Sequence, residues 1–349
     1  TVEIKTPLLS TLDILLFSLF GGDERETVLF GIFLGVIIIF MILDLGLFHK
    51  QAHKITTKSA LYQSIFWVSI STVFGCLIYF GGPYKHLEAG AEVLLSGSEA
   101  AVLYFTTYLT EYALSVDNIF VILLILKYFK VDEAYYHKVL FWGILGAIVF
   151  RAIFIFVGAI LIQKFHWILY IFGVFLVYSG IRIYFEDGDE KIEPEKNPIL
   201  KLCRKYLPIS VDDKGGKFFL SEGGKFFFTP LFLVIVLIET TDLIFAVDSI
   251  PAAFAITQNE FLIYTSNIFA VMGLRAMFFL LAGIIDKFYL LQKGLSIILF
   301  FIGAKMLLEI FHVEINVYLS FTVIIATLTL SIVFSVLVPR RAKAKAESD

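Results

Sequence analysis

Cysteine and charge are what this sequence has least of. Its 349 residues include two cysteines, Cys76 and Cys203. One falls in an apolar run and the other in a charged loop, with no C-x-x-C pair, so a disulfide framework is not indicated. Charged residues make up only 17% of the chain, and 59% is hydrophobic. An ordinary soluble domain is about 45–50% apolar and about 25% charged. Mean hydropathy is +0.87. That balance excludes soluble enzymes and nucleic-acid-binding proteins, and a net charge of −3 says little in such a chain. No G-x-x-x-x-G-K-[ST] motif occurs, which argues against a P-loop ATP-driven pump. Residues 8–20 are apolar but follow no basic stretch, so they read as a short interfacial helix rather than a signal peptide or a span.

What the chain does have is long apolar runs. About nine are long enough to cross a bilayer, near 28–48, 61–80, 100–126, 139–162, 166–185, 228–255, 261–283, 288–311 and 315–338. The expected fold is an all-α polytopic membrane protein forming a single transmembrane domain over 1–349. Basic residues gather on alternate loops: Lys50, Lys54 and Lys58; Lys127, Lys130 and Lys138; the loop 186–227; Lys287 and Lys293; and Arg340 to Lys345. The positive-inside rule then puts the N-terminus outside and the C-terminus in the cytoplasm, a parity that agrees with an odd number of spans. The loop 186–227 holds three prolines and two Gly-Gly pairs. It reads as a mobile cytoplasmic linker with one short helix near 198–206, and its acidic run Glu186 to Glu195 as a solvated charge run.

Against this apolar background two acidic stretches stand out, Glu111 to Ile119 (EYALSVDNI) and Glu239 to Ile250 (ETTDLIFAVDSI). A carboxylate near the bilayer centre costs roughly 2.5–3.5 kcal/mol on insertion scales, and intramembrane acids mark ion and proton sites. The stretches belong to an internal match. Asp117-Asn118-Ile119 aligns with Asp248-Ser249-Ile250, which sets Glu111 on Asp242. Gly146 to Phe154 (GAIVFRAIF) aligns with Ala270 to Phe278 (AVMGLRAMF), setting Arg151 on Arg275, and Gly180 falls on Gly303. The repeats cover about 100–185 and 228–311. With three spans each, they must face opposite ways across the membrane, the inverted plan of many secondary transporters.

On a helix, Glu111, Ser115 and Asn118 share one stripe, and Glu239, Asp242 and Ser249 another. Asp117 and Asp248 lie off these stripes. Pro251 removes a backbone donor, so the expectation is a discontinuous helix there that turns Asp248 inward. The ligands are hard oxygens with no Cys or His beside them, which suits Mg²⁺, Ca²⁺ or Mn²⁺. Five carboxylates need counter-charge, from a dication, from Arg151 and Arg275, or from protons. Salt bridges that only pack helices are the plain alternative. Asp44, near the end of the first span, is either a ligand at the mouth of the path or a solvated helix end.

Several longer stretches resemble the TerC/Alx family of bacterial inner-membrane proteins. They are IETTDLIFAVDSIPAAFAIT (Ile238 to Thr257), TSNIFAVMGLRAMFF (Thr265 to Phe279), EYALSVDNIFV (Glu111 to Val121), TPLFLVI (Thr229 to Ile235) and FMILDLGLFHK (Phe40 to Lys50). The resemblance implies a multi-pass inner-membrane protein tied to tellurite resistance, alkaline response and manganese homeostasis, similar in plan to LysE-type transporters. It implies Mn²⁺ as substrate, export as direction, and Glu111, Asp117, Asn118, Glu239, Asp242 and Asp248 as site residues, with Asp44 beside them. Ligand type alone leaves Ca²⁺ open. A metal/proton antiporter with no catalytic role is the expectation. A static metal-binding partner protein and an intramembrane aspartyl protease built on Asp117 and Asp248 are the rivals.

Overall fold

The computed structural model describes residues 24–48, 56–88, 91–165, 167–185, 197–210, 215–222, 224–282, 290–311, 313 and 315–337. Ten α-helices follow one another: α1 (Glu24–Phe48), α2 (Thr57–Gly81), α3 (Gly97–Tyr128), α4 (Glu133–Lys164), α5 (Ile168–Phe185), α6 (Pro198–Tyr206), α7 (Pro230–Ile256), α8 (Glu260–Leu281), α9 (Leu291–Leu308) and α10 (Val317–Leu337). All except α6 are long and apolar enough to cross a membrane, which makes nine spans among the described residues. Two antiparallel hairpins complete the fold, β1 (Tyr84–Glu88) with β2 (Ala91–Leu95), and β3 (Phe219–Glu222) with β4 (Lys225–Phe228).

Several helix starts are closed by side chains, which satisfies backbone donors that the helix leaves unpaired. Ser96 and Glu99 form a capping box at α3, and Asp132, Thr229 and Asn259 cap α4, α7 and α8. The least apolar span is also the most buried. In an 18-residue apolar stretch of α8, 89% of the residues are inside the bundle, against 22% in the matching stretch of α10. Its Thr265 and Ser266 hydroxyls donate to Phe261 and Leu262 carbonyls at 2.7 and 2.6 Å, so its polar groups cost little in the centre of the bundle. The outer faces of α1, α2 and α10 carry exposed Ile, Leu, Val and Phe, the surface expected against lipid.

Helices α5 and α9 meet backbone to backbone. A methyl group at Gly180 would sit 2.7 Å from Phe300 N and Ser296 O, and one at Gly303 would sit 2.7 Å from Gly173 O and 2.8 Å from Val177 N. Small residues permit this approach where lipid gives no hydrophobic drive to associate. In these contacts, numbers fall along one helix as they rise along the other, so α5 and α9 are antiparallel. In each contact, moreover, a glycine meets residues three and seven positions before the other glycine.

Two expectations are corrected here. Helix α7 is unbroken through Pro251, which lies within it. A proline forfeits one ladder bond, but every residue from Ser249 to Ile256 is buried against neighbours that hold the helix in place. The linker, in its described parts, is docked rather than mobile. Leu200 of α6 is buried in a core with Val139 and Leu231. Lys138 donates to Gly216 O at 2.7 Å and lies over the Phe218 ring, and Thr229 donates to Lys217 O at 2.7 Å. The short helix expected near 198–206 is α6. Residues 186–196, the loop bases Lys50, Lys54 and Lys287, and the basic tail lie outside the described residues.

Candidate ion site

The stripe on α3 folds as its spacing dictates, with Glu111, Ser115 and Asn118 all buried. Opposite it, α4 presents Arg151, which is 1% exposed. One guanidinium nitrogen of Arg151 donates to Glu111 Oε1 and, at 3.1 Å, to Asn267 Oδ1 of α8. The other donates to Asp242 Oδ1 of α7 at 3.2 Å. Asn118 Nδ2 donates to the same Asp242 oxygen at 3.3 Å. Four helices thus converge on one cluster holding two carboxylates, two amides and one guanidinium. Its formal charge is one negative unit. A buried ion pair of this kind depends on hydrogen bonds to its remaining lone pairs and protons; Asn118 and Asn267 supply part of them, and Arg151 Nε is buried with no partner among the described residues.

Beside Asp242 and Asn118 lies a cavity of about 20 Å³, walled by Gly143, Ile144, Ala147 and Thr241. That is room for one water-sized particle, since a water needs at least about 10–15 Å³ by this measure. One helical turn away, the Glu239 carboxylate packs directly on the backbone of α4 at Gly146, where any side chain would collide with it. Its Oε2 is buried and has no hydrogen-bond partner among the described residues. The buried hydroxyls of Ser115 and Ser249 also lack partners among them.

Asp117 and Asp248 stay off the cluster because neither helix unwinds. At 3.6 residues per turn each projects about 120° away from Glu111 or Asp242. Asp248 instead accepts from Ser179 Oγ of α5 at 3.0 Å. Among the described residues no three Asp, Glu, His or Cys side chains are grouped closely enough to hold one metal ion. Arg275 lines a larger cavity of about 190 Å³ between α1, α2, α4 and α8, together with Gln63, Trp67 and Ile144. The backbone of Asp44 belongs to α1, and its side chain lies outside the described residues. Asn267 is the site residue that sequence reasoning missed. It is fully buried, and its amide nitrogen donates to Ile263 O at 3.1 Å, which turns its oxygen toward Arg151. A polar amide in the middle of an apolar helix was the signal available.

The sequence profile described as the integral membrane protein TerC family matches residues 96–343. An uncharacterized membrane protein of Myxococcus xanthus is 41% identical over 310 residues, covering 89% of this chain and 92% of its own. One from Rickettsia bellii is 42% identical over 306 residues, covering 88% and 96%. A protein of Escherichia coli K12 with the provisional name membrane-bound redox modulator Alx is 42% identical over 294 residues, covering 84% and 89%. No solved structure matches.

Proposed function

The chain belongs to the TerC family of integral membrane proteins, and we propose that it is a secondary transporter exporting a divalent cation, Mn²⁺, across the inner membrane in exchange for protons. The observation that carries this reading is the Glu111–Arg151–Asp242 cluster. Two carboxylates on different helices, Glu111 buried and Asp242 partly buried, share a single tethered cation and remain one charge short of neutral. A dication arriving at the adjacent cavity competes with Arg151 for the same oxygens and neutralises both carboxylates. Oxygen donors from Glu111, Asp242 and Asn118 suit a hard cation. Mn²⁺ rather than Ca²⁺, and the outward direction, come from the family resemblance.

Glu239 is assigned the coupled proton. A carboxyl group packed on backbone with an unpartnered oxygen carries a proton at far lower cost than a charge. The energetics require such coupling: moving a dication out against a negative-inside potential of 100 mV costs about 4.6 kcal/mol, at about 2.3 kcal/mol per charge. Asp117 and Asp248, flanking the cluster, are placed as way-stations on either side. The orientation follows the basic loops, with the C-terminus and the docked linker in the cytoplasm. The antiparallel seam of α5 on α9, with its reciprocal glycine contacts, supports the inverted-repeat plan.

The test is metal and proton flux in proteoliposomes loaded with an internal pH dye. Mn²⁺ movement with counter-moving protons, abolished by Asp242→Asn and weakened by Asp248→Asn, is expected. Tight binding without flux would make the site a static metal staple and the protein a stress-resistance partner.

A further inference from the structure

Where α3 ends and α4 and α7 begin, the docked linker carries an exposed apolar surface. Helix α6 shows it first. Leu200 turns into the core with Val139 and Leu231. Ile199, Leu202 and Tyr206 recur at helical spacing, within an arc of about 60° at 3.6 residues per turn. All three are exposed, Leu202 by 57% and Tyr206 by 68%. Beside that stripe stand Lys201 and Lys205, four residues apart and both exposed. Lys205 also lies over the Tyr206 ring, 5.2 Å from its centre. An apolar stripe flanked by lysines is the pattern of a helix lying in a membrane interface.

The β3–β4 hairpin repeats the pattern. Phe219 pairs with Phe228 and Ser221 with Phe226, which puts these four residues on one face. Phe219 and Phe226 stack with centroids 5.4 Å apart and are 45% and 56% exposed. Phe228 touches both and lies 4.8 Å from Phe232, in the first turn of α7. Phe218, just before β3, meets Trp142 edge-on at 6.4 Å. Trp142 is itself 42% exposed. It stands nine residues into α4, about 13 Å along that span at 1.5 Å per residue. The hairpin therefore lies along the flanks of two spans instead of standing clear of them in water. Charge completes the picture: between positions 197 and 228 the sequence holds six basic residues against three acids. Lys217 and Lys225 of the hairpin segment are exposed, as are the two lysines of α6.

We propose that α6 and the β3–β4 hairpin form a binding site for anionic phospholipid headgroups in the leaflet around α4 and α7. Lipid is the occupant because the exposed rings continue the outer flanks of two spans, which themselves face lipid. Ile199, Leu202, Phe219 and Phe226 enter the acyl boundary. Lys201, Lys205, Lys217 and Lys225 hold lipid phosphates above them. Each lysine near an anionic surface adds roughly fivefold to binding. Strand β4 passes through the cap residue Thr229 straight into α7, which carries Glu239 and Asp242. Headgroup binding thus fixes where that helix enters the bilayer. The inference does not depend on what the protein transports.

The experiment uses the full chain with Cys76→Ala and Cys203→Ala, in phosphatidylcholine nanodiscs without metal. Ser221→Cys, beside Phe226 on the exposed face, carries a bimane fluorophore. Phosphatidylglycerol or phosphatidylcholine with a nitroxide near its headgroup is then added in increasing amounts. Both lipids should quench the fluorophore, with half-maximal quenching at roughly tenfold less phosphatidylglycerol, as one or two engaged lysines would give. Lys201→Gln with Lys205→Gln should cut that preference at least fivefold at unchanged helix content, and so should Lys217→Gln with Lys225→Gln. Lys201→Arg with Lys205→Arg, which keeps the charge, should retain it. Should one glutamine pair not fold, the other decides. A fluorophore reached by aqueous iodide but by neither nitroxide lipid would assign this face to a soluble partner and overturn the proposal. Equal quenching by the two lipids, indifferent to the lysines, would overturn it as well, leaving an apolar anchor with no headgroup site.

Discussion

Arg151→Met is the most informative single substitution in this fold. Arg151 is 1% exposed and Glu111 is 3% exposed, so water cannot replace the lost guanidinium. Removing one partner of a buried ion pair costs about 3–5 kcal/mol. Here the loss is compounded, because the variant leaves two carboxylates facing each other with no cation. Glu111→Gln and Asp242→Asn are different. Each converts the cluster from two carboxylates and one arginine to one of each, so each should cost about 1 kcal/mol, the worth of a typical hydrogen bond. The neutral triple variant, Arg151→Met with Glu111→Gln and Asp242→Asn, should return close to the parent, because replacing a whole buried ion cluster is often neutral. The assay is reversible unfolding in mixed micelles, followed by far-ultraviolet circular dichroism. At 1.4 kcal/mol per factor of ten, the difference of about 2–4 kcal/mol means that the arginine variant should shift the equilibrium about 30–700-fold more than loss of either acid. Added Mn²⁺ should stabilise the Arg151→Met chain more than the parent, since the ion no longer competes with a resident guanidinium. If Arg151→Met costs no more than Glu111→Gln, the charge balance argued for this cluster is wrong.

Further predictions concern close approaches and the helix through Pro251. Gly146→Ala drives a methyl group into the Glu239 carboxylate. It should slow proton-coupled flux at least tenfold while leaving helix content unchanged, and Glu239→Asp, one methylene shorter, should restore part of the rate in the flux assay. Gly180→Leu and Gly303→Leu each force a side chain into backbone at 2.7 Å. Both should lower stability by at least the 1–3 kcal/mol typical of overpacking, and by similar amounts, as thermal unfolding would reveal; a large difference between them would contradict the reciprocal seam. Pro251→Ala should preserve flux, because α7 runs unbroken through that position. Its loss would show that the missing backbone donor matters after all.

The spans were legible because each is set by a long local run of apolar residues, and α6 because Asn197 and Pro198 make a helix start that needs no tertiary context. The Glu111–Ser115–Asn118 stripe was legible for the same reason, as helical spacing alone puts the three on one face. What sequence could not give was set by contacts distant in the chain. Which arginine serves the carboxylates depends on the approach of α4 to α3 and α7, and the sequence offers Arg151 and Arg275 on equal terms. Asn267 carries no acid beside it to draw notice. The hairpin of β3 and β4 is four residues per strand, and its order comes from Phe218, Lys138 and Thr229 rather than from its own pattern. Pro251 misled for a related reason, since the tendency of one residue to break a helix yielded to the packing of eight.

The glycine seam has a consequence for how the protein is made. Gly180 reaches the membrane roughly 120 residues before Gly303, which at translation rates of about 5–20 residues per second is a wait of about 6–25 s. Through that interval α5 sits in the bilayer with a bare backbone stripe whose partner does not yet exist. The first three-span unit therefore cannot reach its final packing on its own, and its completion is postponed until α9 has been inserted. Synthesis that stops before α9 leaves α5 with an unfilled docking face inside the membrane, the kind of surface that membrane quality control is built to detect.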